Sequence, residues 1–546
     1  MAKKNENKLS YLQMPVPSGR KSYRTKKRSW SGLNYRQTID TGALSMESNI
    51  STLEAPYLVP SQKRISVIDS YAHPISMFGF DDFLLAIYRR DTAIYVDYIT
   101  YDADEDEYTT YTGVLQEDNA SVDDEYPRCV VQFNVYDTPT DPVTGKYVKK
   151  LLIFPDKKSM DFEIKEDSFQ ISDMSVLVKE FTPATDTATP PDTASHNYYY
   201  RNTKTSDVYK WVDDTSNTEN SGWKVSVPPS MPNIKYAAVH LSRLFGVDDD
   251  RVYASGYNDY TNWNLDTVDE YNESNAWCSP AQSNTKAGGV FTGITNFQGH
   301  VVCFKRDYMH EIYNTKNPFR IQDIYAEGAI DHRTIQDVDG KLVFVSEDDV
   351  KIYTGSNPRT LGYYLNMPEY INAVSGTDGR CYYLYCEDAY KNKKLFVYDT
   401  FADNWSEQAI DDTVLSFAHN KNGMYMLSAD GNIYKMDTAD YRQPWCFETD
   451  LITNETVNIK HVKKIQMFAD IAANANMKVY ILYDDEEFDV DTAHLVYSST
   501  GHGQKPIRVK PRQTASYGIK LHVEGYGYVR LYELELFMEN GGGLYV

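Results

Sequence analysis

The stretch VLSFAHNKNGMYMLSADGNIYKMD at 414–437 contains three short runs of apolar and aromatic residues, separated by turns rich in Asn, Asp, Lys and Gly. Four other stretches repeat this order of strand, turn, strand, turn and strand, at 235–257, 291–313, 335–355 and 381–405. In the first of them, the turns are predicted at Arg243 and at Asp248–Asp250. The units begin roughly 35 to 55 residues apart, which is a period typical of propeller blades. This repetition predicts an all-β protein with a β-propeller over residues 61–440.

Two hairpins precede the repeats. FLLAIYRR (83–90) and TAIYVDYIT (92–100) flank a turn at Asp91, while CVVQFNVYD (129–137) and YVKKLLIFPD (147–156) flank an Asp-Pro turn. Runs of β-branched and aromatic residues between such turns are typical of antiparallel strands. The region 174–232 is different, because it is rich in Thr, Ser, Pro and Asp. We predict a long loop or insertion there, since it has few apolar residues to bury.

The two ends of the chain have their own patterns. Residues 1–60 contain four prolines and no strong strand signal, which predicts an extended N-terminal docking arm. Residues 441–546 contain longer alternating runs, which predict a C-terminal antiparallel β-sandwich. The apolar positions expected to face its core are Leu531, Leu534, Leu536 and Phe537.

Charge is distributed unevenly. Residues 1–36 hold ten of the 55 Lys and Arg but only one of the 78 Asp and Glu, so the other 510 residues carry a net charge of −32. A basic arm on an acidic body predicts contact with nucleic acid, a membrane surface or the acidic surface of a neighbouring subunit, and a solvated tail is the alternative. The six cysteines form no CxxC pair and are expected to be buried free thiols.

The segment SWSGLNYRQTIDTGALSMESNISTLEAPYLVPSQKR (29–64) resembles the opening of tailed-phage proteins of the tail nozzle, or tail stabilization protein, family. The residues that match that family's phrases are Trp30, Gly32, Leu33, Asn34, Gly42, Met46, Asn49, Pro56, Leu58 and Arg64. LFGVDDDRVYASGYNDYTNW in the centre and YGIKLHVEGYGYVRLYELELFMENGGG near the end are similar to the same group. The 174–232 region departs from the expected pattern.

The resemblance implies a virion structural protein, made in the host cytoplasm and placed in the viral tail. It implies a homo-oligomeric ring of six copies around the DNA exit channel, in contact with tail, adaptor and portal-side proteins and with tail fibres. Viral DNA would pass through without sequence-specific binding, and no membrane insertion, cofactor, metal or catalytic residue is expected. The arm residues expected to dock on a neighbour are Arg24, Lys26, Lys27, Arg28, Trp30, Tyr35 and Arg36, because Arg and aromatic residues anchor interfaces.

Two other classes of function remain open from the sequence. A propeller that binds host-surface carbohydrate or a receptor would use Tyr-rich loops as stacking platforms, with candidates Tyr198, Tyr199, Tyr200, Tyr253, Tyr257 and Tyr260. A glycan hydrolase would need paired carboxylates, with candidates Asp248, Asp249, Asp250, Asp348 and Asp349. Tandem acids at hairpin turns more often form the turn, and His310 and His332 are expected at turns or rims rather than as metal ligands.

Overall fold

A computed structural model describes residues 22–27, 30, 32–36, 39, 43–116, 129–137, 146–154, 160–165, 168–173, 199–201, 208–212, 222–225, 232, 234–260, 262–263, 265, 273–279, 289–324, 327–365, 370–454, 458–484, 486–501 and 503–540. Arg28, Gly42, Tyr198 and most of 174–232 lie outside these residues. The chain divides into two units. We call Arg64–Phe401 with Ile410–Thr438 the larger unit, and Met1–Lys63 with Ala402–Ala409 and Ala439–Val546 the smaller unit.

The larger unit is all-β in its described residues, with one 3-10 turn, His332–Thr334. We number its seven principal antiparallel sheets 1 to 7 in chain order. Sheet 1 comprises Pro74–Phe80, Phe83–Arg90, Ala93–Asp102 and Glu107–Gln116. Sheet 2 comprises Cys129–Asp137, Lys146–Phe154, Met160–Lys165 and Ser168–Asp173. Sheet 3 comprises Tyr236–His240, Arg243–Val247, Val252–Ala254 and Trp277–Cys278. Sheet 4 comprises Gly293–Phe297, His300–Phe304, Met309–Tyr313 and Arg320–Ile324. Sheet 5 comprises Gln336–Val338, Lys341–Val345, Val350–Tyr353 and Arg359–Thr360. The strands of sheet 6 within this unit are Tyr370–Thr377, Cys381–Asp388 and Lys393–Asp399. Sheet 7 comprises Val414–Asn420, Gly423–Ser428, Ile433–Lys435 and Ile65–Ile68.

The predicted repeats coincide with these sheets. Each of the five repeat units falls within a separate sheet, from sheet 3 to sheet 7. The two predicted hairpins fall in sheets 1 and 2, where Phe83–Arg90 pairs with Ala93–Asp102 and Cys129–Asp137 pairs with Lys146–Phe154. Asp91 makes the first turn in the left-handed region, at φ 55°, which Asp tolerates better than most residues. The all-β prediction is therefore confirmed.

The seven sheets are arranged in a propeller-like manner. The first strand of each sheet contributes to the wall of one shared cavity of about 460 Å³. Sheet 7 contains both ends of the unit, because Ile65–Ile68 pairs antiparallel with Ile433–Lys435. Ile433 is fully buried at this closure. The closing strand comes from a stretch just after the predicted arm, which the repeat pattern did not reveal.

One prediction for the larger unit is wrong. The turn predicted at Arg243 is instead formed by the two preceding residues, Leu241 and Ser242, which have φ values of 47° and 57°. Arg243 instead begins a strand and is only 1% exposed. Within 174–232, predicted as a long loop or insertion, three described segments form a three-stranded antiparallel sheet: Tyr199–Arg201, Val208–Val212 and Gly222–Val225.

The smaller unit contains two five-stranded antiparallel sheets, here called sheet A and sheet B. Sheet A comprises Ser22–Lys27, Val529–Asn540, Lys460–Ile471, Gly503–Val509 and Ala515–Ser516, and sheet B comprises Leu44–Ser48, Pro444–Thr449, Ile519–Tyr526, Asn476–Tyr483 and His494–Thr500. Further strands are Ile50–Ser51, Val59–Pro60 and Asn404–Gln408. Residues of both sheets share one apolar cluster, in which Ile465 and Leu536 of sheet A accompany Val479 and Val523 of sheet B.

The prediction of an extended arm is wrong for the described part of residues 22–60. Ser22–Lys27 and Leu44–Ser48 are strands of sheets A and B, and their partners lie near the other end of the chain. Local patterning cannot reveal strands whose partners are so distant in sequence. Among the predicted core positions, Leu531, Leu534 and Leu536 are buried, whereas Phe537 is half-buried on the opposite face. In the described residues, no helix is long and apolar enough to cross a bilayer.

Candidate assembly interface

The segment that carries the family resemblance contributes to the core of the smaller unit. Trp30 is 8% exposed and makes an edge-to-face contact with Phe447, with ring centroids 5.8 Å apart. Leu33 and Leu58 are also buried. Such an aromatic pair adds to the stabilisation from apolar burial. The apolar residues of the phrase are therefore fold-determining residues rather than a free docking surface.

Two further residues of the phrase are fixed by the backbone. Gly32 has φ +76°, and a Cβ atom there would lie 2.7 Å from both Asn404 Cβ and the Trp405 carbonyl oxygen. Only glycine satisfies both constraints. Asn49 is left-handed at φ 57°, and its buried side chain donates to the Pro444 carbonyl at 2.8 Å and accepts from the Ala409 N–H at 2.9 Å.

The basic strand Ser22–Lys27 lies against an acidic strand. It pairs antiparallel with Val529–Asn540 in a register that places Arg24 opposite Phe537 and Lys26 opposite Glu535. Arg24 Nη2 lies 2.5 Å from Glu535 Oε1, and Lys26 Nζ lies 2.9 Å from the same oxygen and 2.6 Å from Glu533 Oε1. Hydrogen bonds from Lys26 and Arg24 lower the pKa of Glu535 to about 2, against the opposing effect of desolvation.

The structure does not bring all the predicted docking residues together. The Tyr35 hydroxyl donates to the Glu407 carboxylate, and Arg36 is exposed, with its backbone N–H donating to Asn34 Oδ1 at 2.9 Å. Lys27 is half-buried in the basic strand, and Arg28 lies outside the described residues. Arg24 forms an ion pair with Glu535, and 57% of its side chain is nevertheless exposed to solvent. Arg24 and Arg36 are thus the most exposed of the described positively charged side chains of this segment.

The acidic partners were missed in the sequence. Glu533 and Glu535 alternate with Leu534 and Leu536, so one face of the strand is acidic and the other is apolar. This alternation is visible in the letters LYELELF and could have identified the face. Its pairing with a strand about 500 residues earlier could not have been read from local pattern.

The candidate carboxylates of a hydrolase form turns. Asp248 accepts hydrogen bonds from the backbone N–H groups of Asp250 at 2.8 Å and Arg251 at 2.7 Å, and from the Tyr253 hydroxyl at 2.8 Å. Such contacts are typical of Asp in tight turns. Asp348 and Asp349 lie in another turn, where Ser346 Oγ donates to Asp348 at 2.7 Å.

The predicted tyrosine platform is not assembled in the described residues. Tyr260 is 5% exposed and packs edge-to-face on Phe133, and Tyr253 is engaged by Asp248. Tyr257 alone among the candidates with described side chains is largely exposed, at 51%. Stacking of a sugar ring needs an open aromatic face, which the buried ring of Tyr260 does not offer.

The two histidines have different surroundings. His332 lies in the 3-10 turn beside the shared cavity, as expected for a turn residue. His310 is not at a turn or rim: it lies in strand Met309–Tyr313, is 1% exposed, and has Nδ1 2.8 Å from Asp323 Oδ1. The described residues contain no cluster of three or more His, Cys, Asp or Glu suited to a metal ion.

The chain is similar to several solved structures, at low sequence identity. No family model and no curated protein matches the chain. Among solved structures, it is similar to a candidate 6-phosphogluconolactonase of Bacteroides uniformis, with 12% identity, 65% of this chain and 88% of that chain covered, and a TM-score of 0.32. It is also similar to Kluyveromyces lactis Hsv2, with 8% identity, 62% and 98% coverage and a TM-score of 0.28. A chain of a mitotic checkpoint complex has 7% identity, 58% and 96% coverage and a TM-score of 0.28.

Proposed function

We propose that the chain is a structural protein of a tailed-phage virion: a tail nozzle or tail-stabilising component that assembles into a ring around the DNA exit channel. In this proposal the larger unit is a seven-bladed propeller and the smaller unit is a β-sandwich. The observation that carries the proposal is the structural role of segment 29–64, which resembles the tail nozzle family. Trp30, Gly32, Asn49 and Leu58 each occupy a buried or backbone-constrained position, so the resemblance concerns fold-determining residues.

The channel of such an assembly would lie between copies rather than within one copy. The cavity of the larger unit has a volume of about 460 Å³. The major groove along one turn of B-DNA, about 12 Å wide, about 8.5 Å deep and about 34 Å long, already exceeds that volume several-fold. A ring of copies provides the necessary width. The net charge of −32 outside residues 1–36 would repel DNA and favour passage over binding.

The proposal assigns no turnover and no cofactor to the chain. The turn roles of Asp248 and Asp348 support this assignment, because their carboxylates are engaged by neighbouring backbone or hydroxyl groups. A carbohydrate- or receptor-binding propeller is the alternative that the experiment must separate. It predicts a monomer that binds cell envelopes and ignores other virion proteins.

The test is the mass of the full-length protein in solution, measured by sedimentation velocity, alone and mixed with virion connector proteins. A closed ring near six copies is expected, formed alone or on addition of the connector. A persistent monomer that ignores the connector overturns the proposal, and envelope binding by that monomer would favour the alternative.

A charge reversal locates the interface better than a truncation. Deleting residues 1–36 would remove Trp30 and Leu33 from the core and so confuse folding with assembly. We expect Arg36→Glu to lower the ring fraction, because Arg36 is exposed in the segment assigned to docking. The matched control is Arg306→Glu, whose side chain is 63% exposed in the larger unit and should leave the ring fraction unchanged.

A further inference from the structure

The shared cavity of the larger unit has properties of a small-molecule site. Its volume of about 460 Å³ is within the usual range for ligand pockets. Its wall combines apolar side chains, including Phe80, Ile294 and Phe417, with a few polar groups. Pockets of this composition bind ligands through apolar contact and use their few polar groups to orient them.

Charge in the wall has one sign. Among the described residues that line the cavity, none is Asp or Glu, although the chain has 78 of them. The positively charged side chain of Arg333 is among the lining groups. Burial raises the pKa of the lining Cys129 thiol to about 12, so this group stays uncharged at neutral pH. The cavity therefore disfavours cations and tolerates anions.

His332 presents a hydrogen-bonding group to this cavity. Its ring packs on Tyr236, with centroids 4.9 Å apart, and its Nδ1 is buried without a hydrogen-bond partner. Nδ1 faces the backbone of Gly293, where a Cβ atom would lie 3.2 Å away. Nε2 is consequently the ring nitrogen left to the cavity. Burial lowers the pKa of His332 to about 4, partly offset by Asp331, so the ring is neutral at pH 7 and can donate one Nε2–H bond.

Arg333 supplies a second group at the same place. Its guanidinium is held by Asp331, with Nη2 2.9 Å from Oδ2 and Nε 3.2 Å from Oδ1. The backbone N–H of Arg333 also donates to Asp331 Oδ1 at 2.8 Å, which fixes the turn. Asp331 is not among the residues that line the cavity, so Arg333 is positioned beside the cavity by a carboxylate outside it.

We propose that this cavity binds a small organic anion, with its carboxylate accepting hydrogen bonds from His332 Nε2–H and the Arg333 guanidinium and its apolar body packed between Phe80, Ile294 and Phe417. The site is distinct from the assembly role, because it lies wholly within the larger unit, whereas the docking residues lie in the smaller unit. A ring-forming protein with no ligand, or a monomer that binds the ligand, would separate the two proposals.

Calorimetric titration of the full chain with three probes tests the site. Benzoate has both the carboxylate and the apolar body, benzyl alcohol has the body without the charge, and inorganic phosphate has charge without the body. We expect benzoate to bind at least about tenfold more tightly than either other probe, because benzyl alcohol lacks the charge-assisted hydrogen bond and phosphate lacks the apolar contact. The proposal is overturned if benzyl alcohol or phosphate binds as tightly as benzoate, or if benzoate does not bind at millimolar concentration.

Variants identify the recognising group. His332→Phe keeps an aromatic ring beside Tyr236 but removes Nε2–H, and should weaken benzoate binding about tenfold or more. His332→Gln retains a donor and should restore part of the affinity. The matched control is His494→Phe, an exposed histidine in the smaller unit, which should bind benzoate as the unmodified chain does.

A measurement on the unmodified protein covers the case in which His332→Phe does not fold. Benzoate should shift the imidazole nitrogen resonance of His332, identified with the His332→Gln variant. Binding without a shift at His332 would contradict the proposed geometry.

Discussion

The two units differ in how far along the chain their strands find partners. In the larger unit, sheets 1 to 5 each consist of four strands that follow one another in sequence. In the smaller unit, Ser22–Lys27 pairs with residues near 535, and Leu44–Ser48 pairs with residues near 448. The larger unit is thus mainly local in sequence, whereas the smaller unit depends on the two ends of the chain meeting.

This difference predicts that the stabilities of the two units respond differently to mutation. A sheet made of consecutive hairpins pays its loop-closure entropy in short steps, but pairing over hundreds of residues requires a far larger loop to close. The N-terminal segment is correspondingly anchored by several independent contacts: buried Trp30, constrained Gly32 and Asn49, and the ion pairs of Arg24 and Lys26. We expect loss of one anchor to affect the smaller unit first.

The largest effect is expected for Trp30→Ala. Removing a buried Trp costs about 3–5 kcal/mol of unfolding free energy, because apolar contacts are lost and a cavity remains. The loss should appear as faster amide hydrogen exchange in Ser22–Lys27 and Leu44–Ser48, with sheets 1 to 5 unchanged. Exchange measured by mass spectrometry provides the readout.

The control for Trp30→Ala is Tyr390→Ala. Tyr390 is 86% exposed at a hairpin turn of sheet 6, so its removal should change the unfolding free energy by no more than about 0.5 kcal/mol. Equal destabilisation of both units by Trp30→Ala would show that the comparison drawn between them is wrong.

The same difference explains what could be predicted from the sequence. The hairpins at 83–100 and 129–156 and the five repeat units were identified because apolar runs and their turns are adjacent in the chain. The strand Leu44–Ser48 was missed because it is five residues long, has no neighbouring turn partner and pairs with Cys446–Thr449. The seven-sheet count and the closure of sheet 7 were likewise inaccessible, because they depend on Ile65–Ile68 meeting Ile433–Lys435.

Arg243 shows a second limit of sequence reading. The sequence pattern places this charged residue in a hairpin turn, but its side chain is 1% exposed. Its guanidinium donates to the carbonyls of Ser255 at 2.6 Å, Asn275 at 2.8 Å and Glu273. Three backbone carbonyls that lie 12 to 32 residues further along the chain can make a buried arginine favourable, and the local sequence pattern does not indicate them. For the assembly and cavity sites, only separate residues such as Arg24 and His332 could be named, not their partners.

A smaller effect, confined to the larger unit, is expected for Arg243→Met. Methionine keeps much of the side-chain volume but leaves these carbonyls without their donor, at a cost of about 2–3 kcal/mol in unfolding free energy. Urea denaturation with hydrogen exchange at Val252–Ala254 is the measurement. Arg306→Met is the control, because its exposed side chain should be dispensable within about 0.5 kcal/mol. Protection lost in sheet A rather than sheet 3 would contradict the local character of this unit.

The smallest effect is expected for Glu535→Gln and depends on pH. Because the pKa of Glu535 is about 2 in the folded chain against an ordinary value of 4.5, its contribution is present above about pH 4.5 and disappears as pH falls toward 2. The Arg24 partner is 57% exposed, so solvent screening limits the loss at pH 7 to about 1 kcal/mol. Urea denaturation from pH 2 to 7 should show wild type and variant converging at the acid end.

Glu347→Gln is the control for this convergence. Glu347 pairs with Arg306 at 3.1 Å, but both side chains are more than half exposed, so its removal should leave stability within about 0.5 kcal/mol at every pH. If Glu535→Gln runs parallel to wild type down to pH 2, Glu535 does not stabilise the fold through its charge. The basic strand would then be held by backbone pairing and by contacts such as the Lys26–Glu533 ion pair, and the charge of Arg24 would be more readily available to a neighbouring copy.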